Sequence, residues 1–168
     1  MKCDGEHRRR KCLRIDICGY FFDLASQQLG LLNFFFGAIK KVASLAANQG
    51  KAYEVESILI GSFVFTSGVL ETGNWCLTTK EADNFDQIQI YGSRGKISFK
   101  TFGKGEFILE LEGEDLKHFS FGLSNRIQHP LIETIMGDLL EKSTCKSLDS
   151  TAARTNWVMD QLTKVRID

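Results

Sequence analysis

Within GYFFDLASQQLGLLNFFFG, from Gly19 to Gly37, the residues Asp23, Gln27 and Gly30 recur at i, i+4 and i+7. On a helix that spacing draws one narrow polar line. A carboxylate can take or release a proton, whereas a glutamine amide can only orient a partner by hydrogen bonding. The line lies opposite a stripe of Ala25, Leu29, Leu32 and Phe36, and Leu24, Leu31 and Phe35 add a second stripe beside it. A helix this apolar must be covered on more than one side. A sheet is therefore expected against one side and a cleft along the polar line. Two roles for Asp23 and Gln27 fit this placement: groups that face a ligand, or a hydrogen-bonded pair that caps and orients the helix.

The other residues with chemical potential do not assemble into a centre. Cys3, Cys12, Cys18, Cys76 and Cys145 are an odd number without a C-x-x-C pair, and no signal-peptide apolar stretch precedes them, which predicts a reduced, cytoplasmic protein. His7, His118 and His129 stand apart from one another and from cysteine pairs, so no metal site is expected. Gly92-Ser93-Arg94-Gly95 has the glycine spacing of a phosphate cradle, but a strand follows it rather than a helix, and a hairpin turn is expected. Glu106, Glu110 and Glu112 alternate with Phe107, Leu109 and Leu111, the pattern of a solvated sheet face rather than a catalytic carboxylate pair.

Charge is balanced at 21 acids and 21 bases, yet residues 1–14 hold six Lys or Arg against two acids. A basic run of this kind can bind phosphates. It carries no aromatic platform or recognition-helix pattern, so residues 1–18 are expected to form a basic, poorly ordered tail and no nucleic-acid partner is expected. The apolar runs around Leu29 to Ile39 and Ile58 to Phe65 are too short to span a membrane and are broken by Asn33, Gly61 and Ser62, so no membrane partner is expected either.

These residues must be positioned by the elements around them. After the helix ending at Gly37, Lys41 to Ala47 reads as a strand, and Glu54 to Thr66 is a longer β-rich run. In that run Ile58, Ile60 and Val64 share one face and Leu59, Phe63 and Phe65 the other. Gly68 to Thr78 reads as its hairpin partner. Further strands are expected at Asp86 to Tyr91, Lys96 to Lys100, Glu106 to Glu112 and Leu116 to Phe121. Pro130 opens a helix to about residue 142, with Ile132, Ile135, Met136, Leu139 and Leu140 at amphipathic spacing. Asp149 or Ser150 can cap a last helix carrying Val158, Leu162 and Val165. With 43% hydrophobic residues in 168, one globular domain over residues 19–168 is expected. Its class is α+β, an open and mainly antiparallel β-sheet with helices packed on one face. One helix layer leaves the second apolar face of the Glu54 to Thr78 strands uncovered, so a homo-oligomer through the sheet is expected.

The segment Gly19-x-x-x-Asp23-x-Ala25-x-Gln27-x-x-Gly30, continued to Gly37, resembles the C-terminal domain of the Gfo/Idh/MocA oxidoreductases, the glucose-fructose oxidoreductase and inositol dehydrogenase family. Asn74-Trp75, the Gly92 to Gly95 hairpin and Ala152-Ala153-Arg154-Thr155-Asn156-Trp157 add to the resemblance, which spans about Gly19 to Leu162. It implies an NAD(P)-dependent oxidoreductase acting on sugar-like alcohols. In such an enzyme an upstream or separate Rossmann domain holds NAD or NADP, and this domain supplies the substrate side and the oligomer sheet. The resemblance places Asp23 and Gln27 at catalytic positions and Asn74, Trp75 and Arg154 near substrate. Gln27 occupies the family's histidine position and Gly30 its following acid position. The sequence contains neither a G-x-G-x-x-G turn after a strand nor a Glu-Lys-Pro motif, so no cofactor-binding residue is assigned and the chain alone is expected to be inactive. The alternative is a non-enzymatic binding or protein-interaction module that keeps the fold.

Overall fold

The computed structural model describes residues 6–52, 54–122, 126 and 128–167, with residues 6–19 as helical backbone. The elements run α1 (Glu6–Phe36), β1 (Ile39–Ala47), β2 (Ile58–Phe65), β3 (Leu70–Cys76), a 3₁₀ turn (Glu81–Asp83), β4 (Ile88–Gly92), β5 (Gly95–Phe99), β6 (Glu106–Leu111), β7 (Lys117–Ser120), α2 (His129–Leu139) and α3 (Asp149–Leu162). The fold is α+β with two open antiparallel sheets, ordered β1-β2-β3 and β4-β5-β6-β7.

The chain divides into two compact units. The first holds α1, β1 to β3 and α3, and the second holds β4 to β7 and α2. The division falls where Thr78-Thr79-Lys80-Glu81-Ala82-Asp83-Asn84 is exposed throughout. This stretch has no apolar alternation with which to carry one sheet into the next.

α1 begins at Glu6, not near Gly19. Between those residues the sequence has neither proline nor glycine and holds four Arg, one Lys and one Leu, which favour helix. Most of the segment expected as a tail therefore continues the helix, while residues 1–5 lie outside the described residues. The buried stripe of α1 is Phe21, Ala25, Leu29 and Leu32, one turn earlier than the sequence pattern suggests, and Phe36 is half-buried against Phe65. The second stripe is less covered: Leu24 and Leu31 are half-buried, and Phe35 is exposed. Asn33 ends the helix. Its carbonyl accepts from the Gly37 N–H at 3.0 Å, and its side-chain oxygen accepts from the Ile39 N–H at 3.3 Å. Gly37 takes the left-handed conformation at φ 83° that such a helix end requires.

The core of the first unit lies between β2 and the two helices. Leu59, Gly61, Phe63 and Phe65 point inward and are buried, while Ile60 and Ser62 point outward and are exposed. From α3, Thr155, Val158, Met159 and Leu162 are buried. Leu162 sits over Gly61, and a Cβ at Gly61 would run into its side chain. At the start of α3 the Thr151 hydroxyl accepts from the Leu148 N–H at 3.0 Å, so Leu148 takes the cap position expected for Asp149 or Ser150. Beyond α3 the chain returns beside β1, with the Ala46 N–H donating to Val165 and the Ile167 N–H donating to Ala46, both at 2.9 Å. This places the Arg166 guanidinium 3.0 Å from the buried carboxylate of Glu56.

In the second unit the register sets Ile88 opposite Phe99, Phe99 opposite Phe107 and Phe107 opposite Phe119. Phe107 and Phe119 stack with centroids 4.5 Å apart. Gly92 pairs with Gly95, which makes Ser93-Arg94 the two-residue turn of a hairpin. α2 has the expected amphipathic pattern, yet none of its residues is buried.

The apolar contact between α3 and the sheet yields a direct expectation. Leu162→Ala, at a fully buried position, lowers unfolding free energy by about 2–5 kcal/mol in urea titration, because the space above Gly61 cannot close without moving α3.

Candidate functional site

A polar contact within an aromatic cluster ties α1 to β3. The Trp75 Nε1–H donates to the Gln28 side-chain oxygen at 2.6 Å. The Trp75 ring meets Phe21 edge-on at 5.3 Å and Phe63 at 6.2 Å. Gly73 makes room for this ring, since a Cβ there would strike it. Trp75 is therefore packed between α1 and β2.

Because Gln28 points at the sheet, its neighbour Gln27 is turned about 100° around the helix. Asp23 and Gln27 are both exposed, and nothing lies within 4 Å of where a Gly30 Cβ would stand. The polar line is thus open along its length. No hydrogen bond joins Asp23 to Gln27 among the described residues, and the Asp23 backbone carbonyl accepts from the Ser26 hydroxyl at 3.1 Å. The pairing that would make them a capping unit is not formed. The geometry can present one carboxylate and one amide to a molecule lying along α1.

The remaining candidates lie elsewhere. Asn74 is exposed on the outer face of β3, opposite Ile60, while Trp75 faces the helices opposite Leu59. Adjacent strand residues point to opposite faces, so Asn74 and Trp75 cannot share a site on this sheet. Arg154 is exposed beside the buried Thr155 of α3. No hydrogen bond or ion pair joins any two of Asp23, Gln27, Asn74, Trp75 and Arg154 among the described residues.

Glu71 went unrecognised in the sequence. It stands two residues before Gly73 on the inward face of β3, opposite the buried Phe63. One of its carboxylate oxygens is buried without a hydrogen-bond partner. Desolvation pushes its pKa up to about 7, so the group is substantially protonated near neutrality. The readable signal was a lone acid in phase with Gly73 and Trp75 on the strand face that must be covered.

Among the described residues all strand pairs are antiparallel apart from the Ala46–Arg166 bridge, and no strand runs through a glycine-rich turn into a helix N-terminus. Pyrophosphate binding of the Rossmann type needs that unit, and the chain's own residues do not fit it. Among the described residues, no group of His, Cys, Asp and Glu can hold a metal ion, and no helix is long and apolar enough to cross a membrane.

Residues 7–98, more than half of the chain, match the family model of the GFO/IDH/MocA C-terminal domain, and the chain belongs to that family. It is 29% identical over 150 residues to oxidoreductase P35 of Formosa agariphila, covering 84% of this chain and 42% of that protein. Among solved structures it resembles a UDP-N-acetylglucosamine 3-dehydrogenase from Acidithiobacillus ferrooxidans, with TM-score 0.71, 13% identity, and coverage of 90% of this chain and 47% of that one. It also resembles a levoglucosan dehydrogenase in complex with NADH and levoglucosan, with TM-score 0.69, 12% identity, and coverage of 83% and 46%. The chain spans less than half the length of each of these relatives.

Two expectations follow from the geometry. Unfolded, Glu71 titrates near 4.5; folded, it holds its proton to about pH 7, so its contribution to stability falls as pH rises between those values and is then constant. Thermal midpoints of the native chain therefore include a decline from pH 5 to pH 7.5 that Glu71→Gln removes, and the variant is the more stable of the two at pH 8. Gly73→Val displaces the Trp75 ring and costs about 1–3 kcal/mol by urea unfolding, with a red-shifted tryptophan emission.

Proposed function

We propose that this chain is the C-terminal substrate-binding and assembly domain of an NAD(P)-dependent Gfo/Idh/MocA-type oxidoreductase acting on sugar-like alcohols, and that the chain by itself is inactive. The observation that carries this reading is the open Asp23–Gln27–Gly30 line on the side of α1 turned away from the sheet. The sugar-derived substrates in the names of the levoglucosan and UDP-N-acetylglucosamine dehydrogenases support the substrate class. The partner is an upstream or separate Rossmann domain, whose NAD or NADP supplies hydride transfer. On this chain Asp23 accepts a hydrogen bond from a substrate hydroxyl and Gln27 orients a second polar group. Gln27 cannot relay a proton as a histidine does. The setting is cytoplasmic.

Assembly is proposed through the sheet. Leu45 and Ile60 stand opposite each other on the outer face and are each 49% exposed. An apolar patch of this kind on a strand face commonly marks an interface. The rival reading, a non-enzymatic interaction module, is favoured by the replacement of a proton-transferring side chain with Gln27.

Calorimetry with NADH and NADPH is expected to show no binding to the isolated chain, and micromolar binding of either would overturn the division of labour between domains. With a Rossmann domain from a close relative added in trans, Gln27→His is expected to turn over a sugar alcohol about a hundredfold or more faster than the native chain. Equal rates would remove the argument from Gln27, and absence of turnover in both would favour the interaction module. Leu45→Lys with Ile60→Lys is expected to convert an oligomer to a monomer in light scattering at tens of micromolar, a rough range for moderately tight contacts.

A further inference from the structure

We propose that the second unit carries its own binding site for a pyranose sugar bearing an anionic group, under the loops at residues 82–87 and 100–105. These loops border a cavity of about 830 Å³ at one end of β5 to β7, lined by Ser98, Ile108 and His118 from one face of the strands and by Phe99, Phe107 and Phe119 from the other. The two loops are tied together, since the Asp86 carboxylate accepts from the Phe102 N–H at 2.8 Å. Such a volume suits a sugar-sized ligand, and pockets of this kind combine apolar walls with a few placed polar groups.

Three features point to the ligand. Ser98 lines the cavity, is 6% exposed, and its hydroxyl has no hydrogen-bond partner. A buried hydroxyl of this sort is normally satisfied, and a ligand hydroxyl or anion oxygen supplies what is missing. Phe85 and Phe102 also line it and are 81% and 47% exposed, so flat apolar faces stand ready to cover the C–H face of a pyranose ring. Lys100 and Lys104 line it without an ion-pair partner among the described residues, unlike Lys96, which is paired with Glu110 at 2.9 Å on the same sheet face. Against these two ammonium groups the lining holds a single carboxylate, Glu106. A net positive lining favours a carboxylate, sulfate or phosphate on the sugar, held by lysines as point charges. His118, in register with Ile108 beside Ser98, adds one more hydrogen-bonding group. None of these residues belongs to α1, so the site stands independently of the reading of Asp23 and Gln27.

The test is isothermal titration of the full chain with glucuronate, glucose 6-phosphate, glucose and AMP. Glucuronate or glucose 6-phosphate is expected to bind at about millimolar strength, and glucose about tenfold more weakly. Whichever of the two binds identifies the anion. The exposed Lys100→Gln with Lys104→Gln pair is expected to abolish that tenfold preference, Phe85→Ala to weaken anionic and neutral sugars alike, and Ser98→Ala to weaken both severalfold. Unchanged thermal midpoints confirm that the variants fold, and the lysine and phenylalanine variants decide the matter if Ser98→Ala does not. The proposal is overturned if no sugar binds at about 20 mM, if glucose binds as well as glucuronate and glucose 6-phosphate, if AMP alone binds, or if the lysine and phenylalanine variants bind as the native chain does.

Discussion

The hydrogen bond from Trp75 to Gln28 is the contact on which the arrangement of the first unit depends. It joins β3 to α1 in the middle of an apolar interface, where an unpaired indole N–H or amide oxygen would cost about 1–3 kcal/mol. Satisfying both fixes the rotation of the helix about its axis. Once Gln28 and Phe21 face the sheet, Asp23 and Gln27 have no choice but to face away from it. The polar line is thus a consequence of packing on the far side of the helix, and Gly73 is part of the same device because it alone leaves room for the Trp75 ring.

Glu71 marks the cost of that packed face. The strand that carries Trp75 must keep Glu71 in phase with it, and covering one also covers the other. The carboxyl responds by retaining its proton near neutrality, which spares the interior a buried charge. A buried carboxylate oxygen without a hydrogen-bond partner is a weak point in stability.

The two units solve the covering problem differently. In the first, α1 and α3 close over Leu59, Phe63 and Phe65, and the outer face keeps Leu45 and Ile60 in solvent. In the second, the phenylalanines of β5 to β7 line up on one face, and α2 buries none of its own residues.

The sequence by itself determined the element types and nearly all of their positions, because period 2 against period 3.6 in apolar residues, with Gly37, Gly68, Gly92 and Gly95 as turns, leaves little freedom locally. It also carried the Asp23, Gln27 and Gly30 spacing along α1. Tertiary structure alone decided the rest. That Asn74 and Trp75 lie on opposite faces follows from strand pleat once the strand is paired, and the division into two units follows from an exposed polar stretch that breaks the sheet. Glu71 acquires its raised pKa only from burial. Local patterning reads which side of an element is apolar; what covers that side, and what is trapped with it, is set by contacts between residues far apart in the chain, such as Gln28 with Trp75 and Gly61 with Leu162.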